Sequence, residues 1–116
     1  MSWLIRLLII SLFVLSVLIS GCSYSSETSA ASKLSERELA ANICISLCHE
    51  QKSAGTQLEN GPCLSNEIIA DWVCDVAHSP RQDIDNQQEN QCPAFRERKA
   101  HHFVEVDPDC CLIKTY

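Results

Sequence analysis

The sequence predicts an α+β domain: one N-terminal helix packed on a small antiparallel sheet, loop-rich and held by disulfides. Three observations lead there. A capped, periodic segment opens a helix near position 36, two β-rich runs flank a proline turn at the C-terminus, and seven of the eight cysteines fall between Cys44 and Cys111.

The helix is marked at both ends. Ser35-Glu36-Arg37-Glu38 matches the S-x-x-E capping box, with Leu34 and Leu39 at the flanking apolar positions. Leu39, Ile43 and Leu47 then recur at helical spacing, with Ala40, Cys44 and Cys48 on the adjoining row. Gly55 is a natural stop, so the helix is expected from Glu36 to Ala54. Beyond it, residues 58–66 read as turns around Asn60-Gly61-Pro62, and 67–71 as a short helical turn. Trp72–Ala77 (WVCDVA) reads as a strand, Ser79–Gln91 as a polar, amide-rich surface loop, and Ala94–Lys99 as another turn of helix. Phe103–Val106 and Leu112–Tyr116 form the arms of a hairpin. Asp107 and Pro108 sit at the first and second positions of its type I turn. Trp72 and Phe103 are the expected aromatic anchors of the core.

A domain spanning 35–116 buries only a thin core, and domains of that size commonly need covalent staples. Cys44, Cys48, Cys63, Cys74, Cys92 and Cys110 are the expected disulfide cysteines. Cys44 and Cys48 lie one helical turn apart, where a mutual bridge would distort the helix, so each is expected to reach a different segment. With Cys22 set aside (below), seven cysteines remain, and Cys111 is the expected spare thiol. The connectivity stays open, because sequence alone does not select among the pairings. The helical C-x-x-x-C resembles part of the cysteine-stabilised α/β folds. The adjacent Cys110-Cys111 departs from their strand C-x-C, so the resemblance is local.

Other chemistries compete for the same residues. Cys44, Cys48 and His49 (CISLCHE) form a lengthened haem-attachment pattern, with three residues between the cysteines where two are common. Zinc could take Cys and His ligands, but no second knuckle accompanies the first, and His49-Glu50 is not completed to H-E-x-x-H. Asp83 and Asp85 begin like a calcium loop, which Gln88 and Ala94 then break. No metal or cofactor is therefore expected. A His–carboxylate hydrolase built on His78 or on His101-His102, with Asp75, Glu105 or Asp107, is conceivable. The plainer expectation is surface histidines and no catalysis, since no activated serine, phosphate loop or strained glycine turn accompanies them.

The N-terminus addresses compartment. Met1–Arg6 is a charged start, and Leu7–Ile19 is an apolar run too short to serve comfortably as a permanent span. Ile19-Ser20-Gly21-Cys22 follows it, and this resembles the bacterial lipobox. The resemblance implies a signal peptide over 1–21, cleavage before Cys22, and acylation of the Cys22 sulfur. Residues 22–34 then form a serine-rich tether. Two or more acyl chains would hold the domain on a membrane. The chain carries nine Lys and Arg against fifteen Asp and Glu, a formal charge of −6. That balance offers phosphates no basic stripe and argues against nucleic acid. The expected partners are the membrane, through lipid, and another envelope protein or a small ligand.

The segments GPCLSNEI, WVCDVAHSPR and HFVEVDP, with the cysteines between them, resemble small cysteine-containing proteins of archaea and related prokaryotes. That resemblance supplies no activity. The expected whole is a lipid-anchored, extracytoplasmic binding or envelope-interaction domain. A haem or thiol redox carrier is the alternative.

Overall fold

The computed structural model describes residues 34–116; the expected leader, Cys22 and nearly all of the tether lie outside the described residues. Helix α1 spans Glu36–Ser53. Both halves of its capping box form: Ser35 Oγ accepts from the Glu38 N–H, and the Ser35 N–H donates to Glu38 Oε2. Two of the four orphan N–H groups at the helix start are thereby satisfied. Gly55 follows the helix end with φ +87°.

Four strands make one sheet in the order β1-β2-β3-β4: β1 Cys63–Ile69, β2 Trp72–Val76, β3 His102–Val106 and β4 Leu112–Thr115. The α+β class with one helix on a small sheet is as the sequence indicates, with two differences in the sheet. First, residues 63–69 are a strand rather than turns and a helical segment. They pair with β2 through a tight hairpin, where Ile69 faces Trp72 and Asp71 takes φ +69°. Asp tolerates that left-handed region better than most residues, which lets a chain without glycine turn there. Second, β2 and β3 run parallel, with Asp75 opposite Glu105, so the sheet is mixed and not wholly antiparallel. A parallel pair needs a crossover, and residues 77–101 provide it. That segment is no simple surface loop: it holds two 3₁₀ turns (Asp83–Asn86 and Gln88–Asn90) and the short helix α2, Pro93–Arg96.

The β3–β4 hairpin turns at Asp107-Pro108-Asp109. The Cys110 N–H bonds the Asp107 carbonyl, and Asp107 Oδ1 accepts from the N–H groups of Asp109 and Cys111.

Because side chains alternate along a strand, the sheet has two distinct faces. Trp72, Cys74, Val76, Val104 and Val106 pack with Ala40, Ala41, Cys44 and Cys48 of α1 in the main core. Trp72 Nε1–H also donates to Glu36 Oε1, tying the first helical turn to the sheet. Val73 and Phe103 face the other way, towards Cys92, Phe95 and Ala100. Phe103 is thus a half-buried residue of the second face and not an anchor of the main core.

Three disulfides cross these layers: Cys44–Cys74 and Cys48–Cys110 fasten α1 to the sheet, and Cys63–Cys92 fastens β1 to the crossover. Cys44 and Cys48 do reach different segments. The spare thiol expected at Cys111 is corrected: Cys111 is disulfide-bonded, and no described cysteine is free. The expectation rested on the odd count that remains once Cys22 is set aside.

Candidate functional site

The second face of the sheet carries the site. In both central strands an acidic residue sits amid apolar ones, WVCDV in β2 and HFVEV in β3. The parallel register sets those acids side by side. Asp75 and Glu105 are 9% and 7% exposed, and both line a cleft of about 540 Å³. Val73 and Phe103 of the same sheet face line it with them, as do Arg81, Cys92, Phe95 and Arg98. The volume lies within the range of small-molecule sites.

The two acids are treated differently. Glu105 is held by two cations: Arg81 Nη1 at 2.8 Å from Oε1 and Lys114 Nζ at 3.6 Å from Oε2. Asp75 has no such partner, and its Oδ1 is buried without a hydrogen bond among the described residues. Burial first, and the negative charge of Glu105 second, push its pKa up to about 8. At pH 7 the protonated form of Asp75 is accordingly favoured, and that form can both donate and accept a hydrogen bond. An unsatisfied buried oxygen costs about 1–3 kcal/mol, so its presence at a cleft suggests a role beyond stability.

Arg81 is fixed on all three nitrogens. Besides Glu105, it donates from Nε to Asn86 Oδ1 and from Nη2 to the Asp85 carbonyl. The segment bearing it hangs on Asp85, which is 2% exposed. Asp85 accepts from the N–H groups of Gln82 and His78 at 2.8 and 3.0 Å, and its Oδ1 pairs with His78 Nδ1 at 2.8 Å. Burial alone would raise the Asp85 pKa, but these bonds together outweigh it and hold the carboxyl below the usual range. Gly61, at φ +65°, passes so close that a Cβ there would stand 2.7 Å from Asp85 Oδ1.

Aromatic rings complete the cleft. Phe103 stacks on Tyr116 with centroids 5.5 Å apart and meets Phe95 edge-to-face at 5.0 Å. Arg96 and Arg98 stand exposed at the rim. Arg96 donates to the Gln88 carbonyl, while Arg98, at φ +59°, has no ion pair or side-chain hydrogen bond among the described residues.

The sequence-predicted residues fall elsewhere or into other roles. His78 is part of the Asp85 clasp. His101 lies at the cleft edge, its Nδ1 2.6 Å from Asp71 Oδ1, and that hydrogen bond holds the Asp71 carboxyl below its ordinary value. His102 stacks on Trp72. The histidines are therefore paired with Asp85 and Asp71 rather than with Asp75, Glu105 or Asp107. His49 is exposed, and the Cys44 and Cys48 sulfurs that a haem would need are buried in disulfides. Among the described residues no cluster of three or more His, Cys, Asp and Glu is placed to hold a metal ion. What the sequence pattern under-weighted was Asp75 with Glu105: an acid in the middle of an apolar strand, occurring twice, was the available signal.

Fold and site together describe a disulfide-clamped α+β domain that presents one polar-floored, aromatic-walled cleft. No family model, curated protein or solved structure matches the chain.

Proposed function

We propose that this is an exported, lipid-anchored binding module whose ligand site is the Asp75–Glu105 cleft. The observation that carries the binding reading is the buried Oδ1 of Asp75, unpartnered among the described residues, in a residue that lines a cleft of ligand size. The three disulfides mark an oxidising, extracytoplasmic compartment. Among the described residues no helix is long and apolar enough to cross a membrane. The support for lipid attachment is the lipobox-like Ile19-Ser20-Gly21-Cys22 of the sequence.

A second reading of Cys22 has its own observation. Cys111 is disulfide-bonded, the three bridges above use six other cysteines, and by count Cys22 is the one cysteine left. The Cys22 sulfur can carry an acyl chain or close a fourth bridge, not both; with Cys22 acylated, a Cys111 bridge would have to join a second chain. Intact mass of protein from membranes, before and after reduction, separates the two. A chain beginning at Cys22 with added acyl mass, partitioning into detergent and losing both properties in Cys22→Ser, supports the anchor. An unacylated chain that gains eight hydrogens on reduction, the equivalent of four bridges, overturns it.

A further inference from the structure

The groups that line the cleft differ in chemistry, and together they specify a class of ligand. Its floor holds Asp75, nine-tenths buried, with an oxygen that nothing in the described structure satisfies. Phe95, Phe103 and Tyr116 also line it, and exposed Arg98 at its rim has no ion pair or side-chain hydrogen bond among the described residues. Glu105, the other acid of the floor, is already occupied by Arg81 and Lys114, so it offers an incoming cation little. We propose that the cleft binds a small organic carboxylate with a flat apolar body and a hydroxyl group at the end away from the carboxylate. The carboxylate meets Arg98 at the rim, the body lies against the three rings, and the hydroxyl reaches Asp75.

Each part has a physical reason. Guanidinium groups bind carboxylates through directed, charge-assisted bonds, and among the described residues no carboxylate pairs with Arg98 to compete. Aromatic walls favour a flat apolar body. A neutral carboxylic acid both donates and accepts, and a hydroxyl does the same, so the pair satisfies the orphan oxygen without burying a new charge. A buried ammonium would instead need an ionised Asp75, and the desolvation that keeps the proton on that group opposes it. A hydrophobic anion lacking the hydroxyl would leave the oxygen unsatisfied, and sites with such polar demands discriminate strongly against ligands that fail them.

This inference rests on the cleft being a binding site, and the test separates the two claims. Full-length oxidised protein in detergent is titrated with 4-hydroxyphenylacetate, phenylacetate, tyramine and 4-hydroxyphenylethanol, following the ring resonances of Phe95, Phe103 and Tyr116 by NMR. The hydroxylated acid is expected to bind tightest, with roughly tenfold weakening on loss of either the hydroxyl or the carboxylate. Arg98→Asn, which suits the left-handed backbone, should weaken the two acids about tenfold and leave tyramine and the alcohol unchanged. Asp75→Asn, still a donor and acceptor, should retain binding, whereas Asp75→Val should abolish the preference for the hydroxyl. Native-like spectra of each variant's α1 and β4 resonances establish that it has folded. If tyramine or the alcohol binds as well as the acid, or Arg98→Asn has no effect, the ligand class is wrong and the binding site stands. If no probe moves the three rings at about 10 mM, both claims fall.

Discussion

Cys74 and Asp75 are neighbours in β2, yet their side chains enter environments governed by different forces. Cys74 faces α1, where valines, alanines and two disulfides form a dry layer with both helix-face bridges crossing it. Asp75 faces a cleft whose order comes from charged side chains: Glu105 between Arg81 and Lys114, and Asp85 gripping the segment that carries Arg81. Cys63–Cys92 reinforces that side covalently. The contrast shows how a small domain can hold a polar cavity open. Apolar burial and cross-links on one face supply the stability that lets the other keep an unsatisfied acid.

The comparison can be broken first on its stronger side. Replacing Cys44 and Cys74 together by Ala should cost about 2–5 kcal/mol in denaturant unfolding, because a 30-residue separation is no longer closed and the helix layer loses a clamp. On the cleft side the largest effect is expected from Gly61→Ala. The left-handed backbone there and the contact with Asp85 Oδ1 together should cost on the order of 3 kcal/mol. Chemical-shift changes should concentrate in residues 78–92 and spare α1.

A sharper test uses pH. The folded-state pKa of Asp75 is raised, so between about 4 and 8 the folded protein holds a proton that the unfolded chain releases. Its contribution to stability is greatest at low pH and falls as pH rises towards 8. Asp75→Asn removes this dependence. The two proteins should unfold alike near pH 4, and near pH 8 the variant should be more stable by on the order of a few kcal/mol. A wild-type curve that stays parallel to the variant's across that range would show that Asp75 titrates normally. Arg81→Gln should move the Asp75 midpoint, read from its carboxyl carbon by NMR, above about 8, since Arg81 is the cation that restrains it. The smallest effect belongs to Gly55→Ala, where a Cβ meets nothing within 4 Å and only the left-handed backbone is penalised, by about 1 kcal/mol.

Much of the helix-face half was legible beforehand, and little of the cleft half. The capping box, the α1 boundaries and the Asp107-Pro108 turn are written in residues within four positions of each other, so local geometry specifies them. The six bridging cysteines were identifiable by residue type and by the needs of a small exported core. Residues 63–69 were misread because Asn66 and Glu67 interrupt the alternation of a strand that is identified by its pairing with β2. Cys111 was misassigned because a count excluding Cys22 is odd.

The sequence by itself thus determined one capped helix, a C-terminal hairpin, an acidic surface and a cysteine set suited to an oxidising compartment, since each follows from composition or short-range spacing. Tertiary structure decided which cysteines pair, that β2 and β3 run parallel, and that Asp75 and Glu105 share a floor. Those outcomes join residues about 30 or more positions apart. Which distant partners meet depends on how the crossover packs, and no local propensity encodes that.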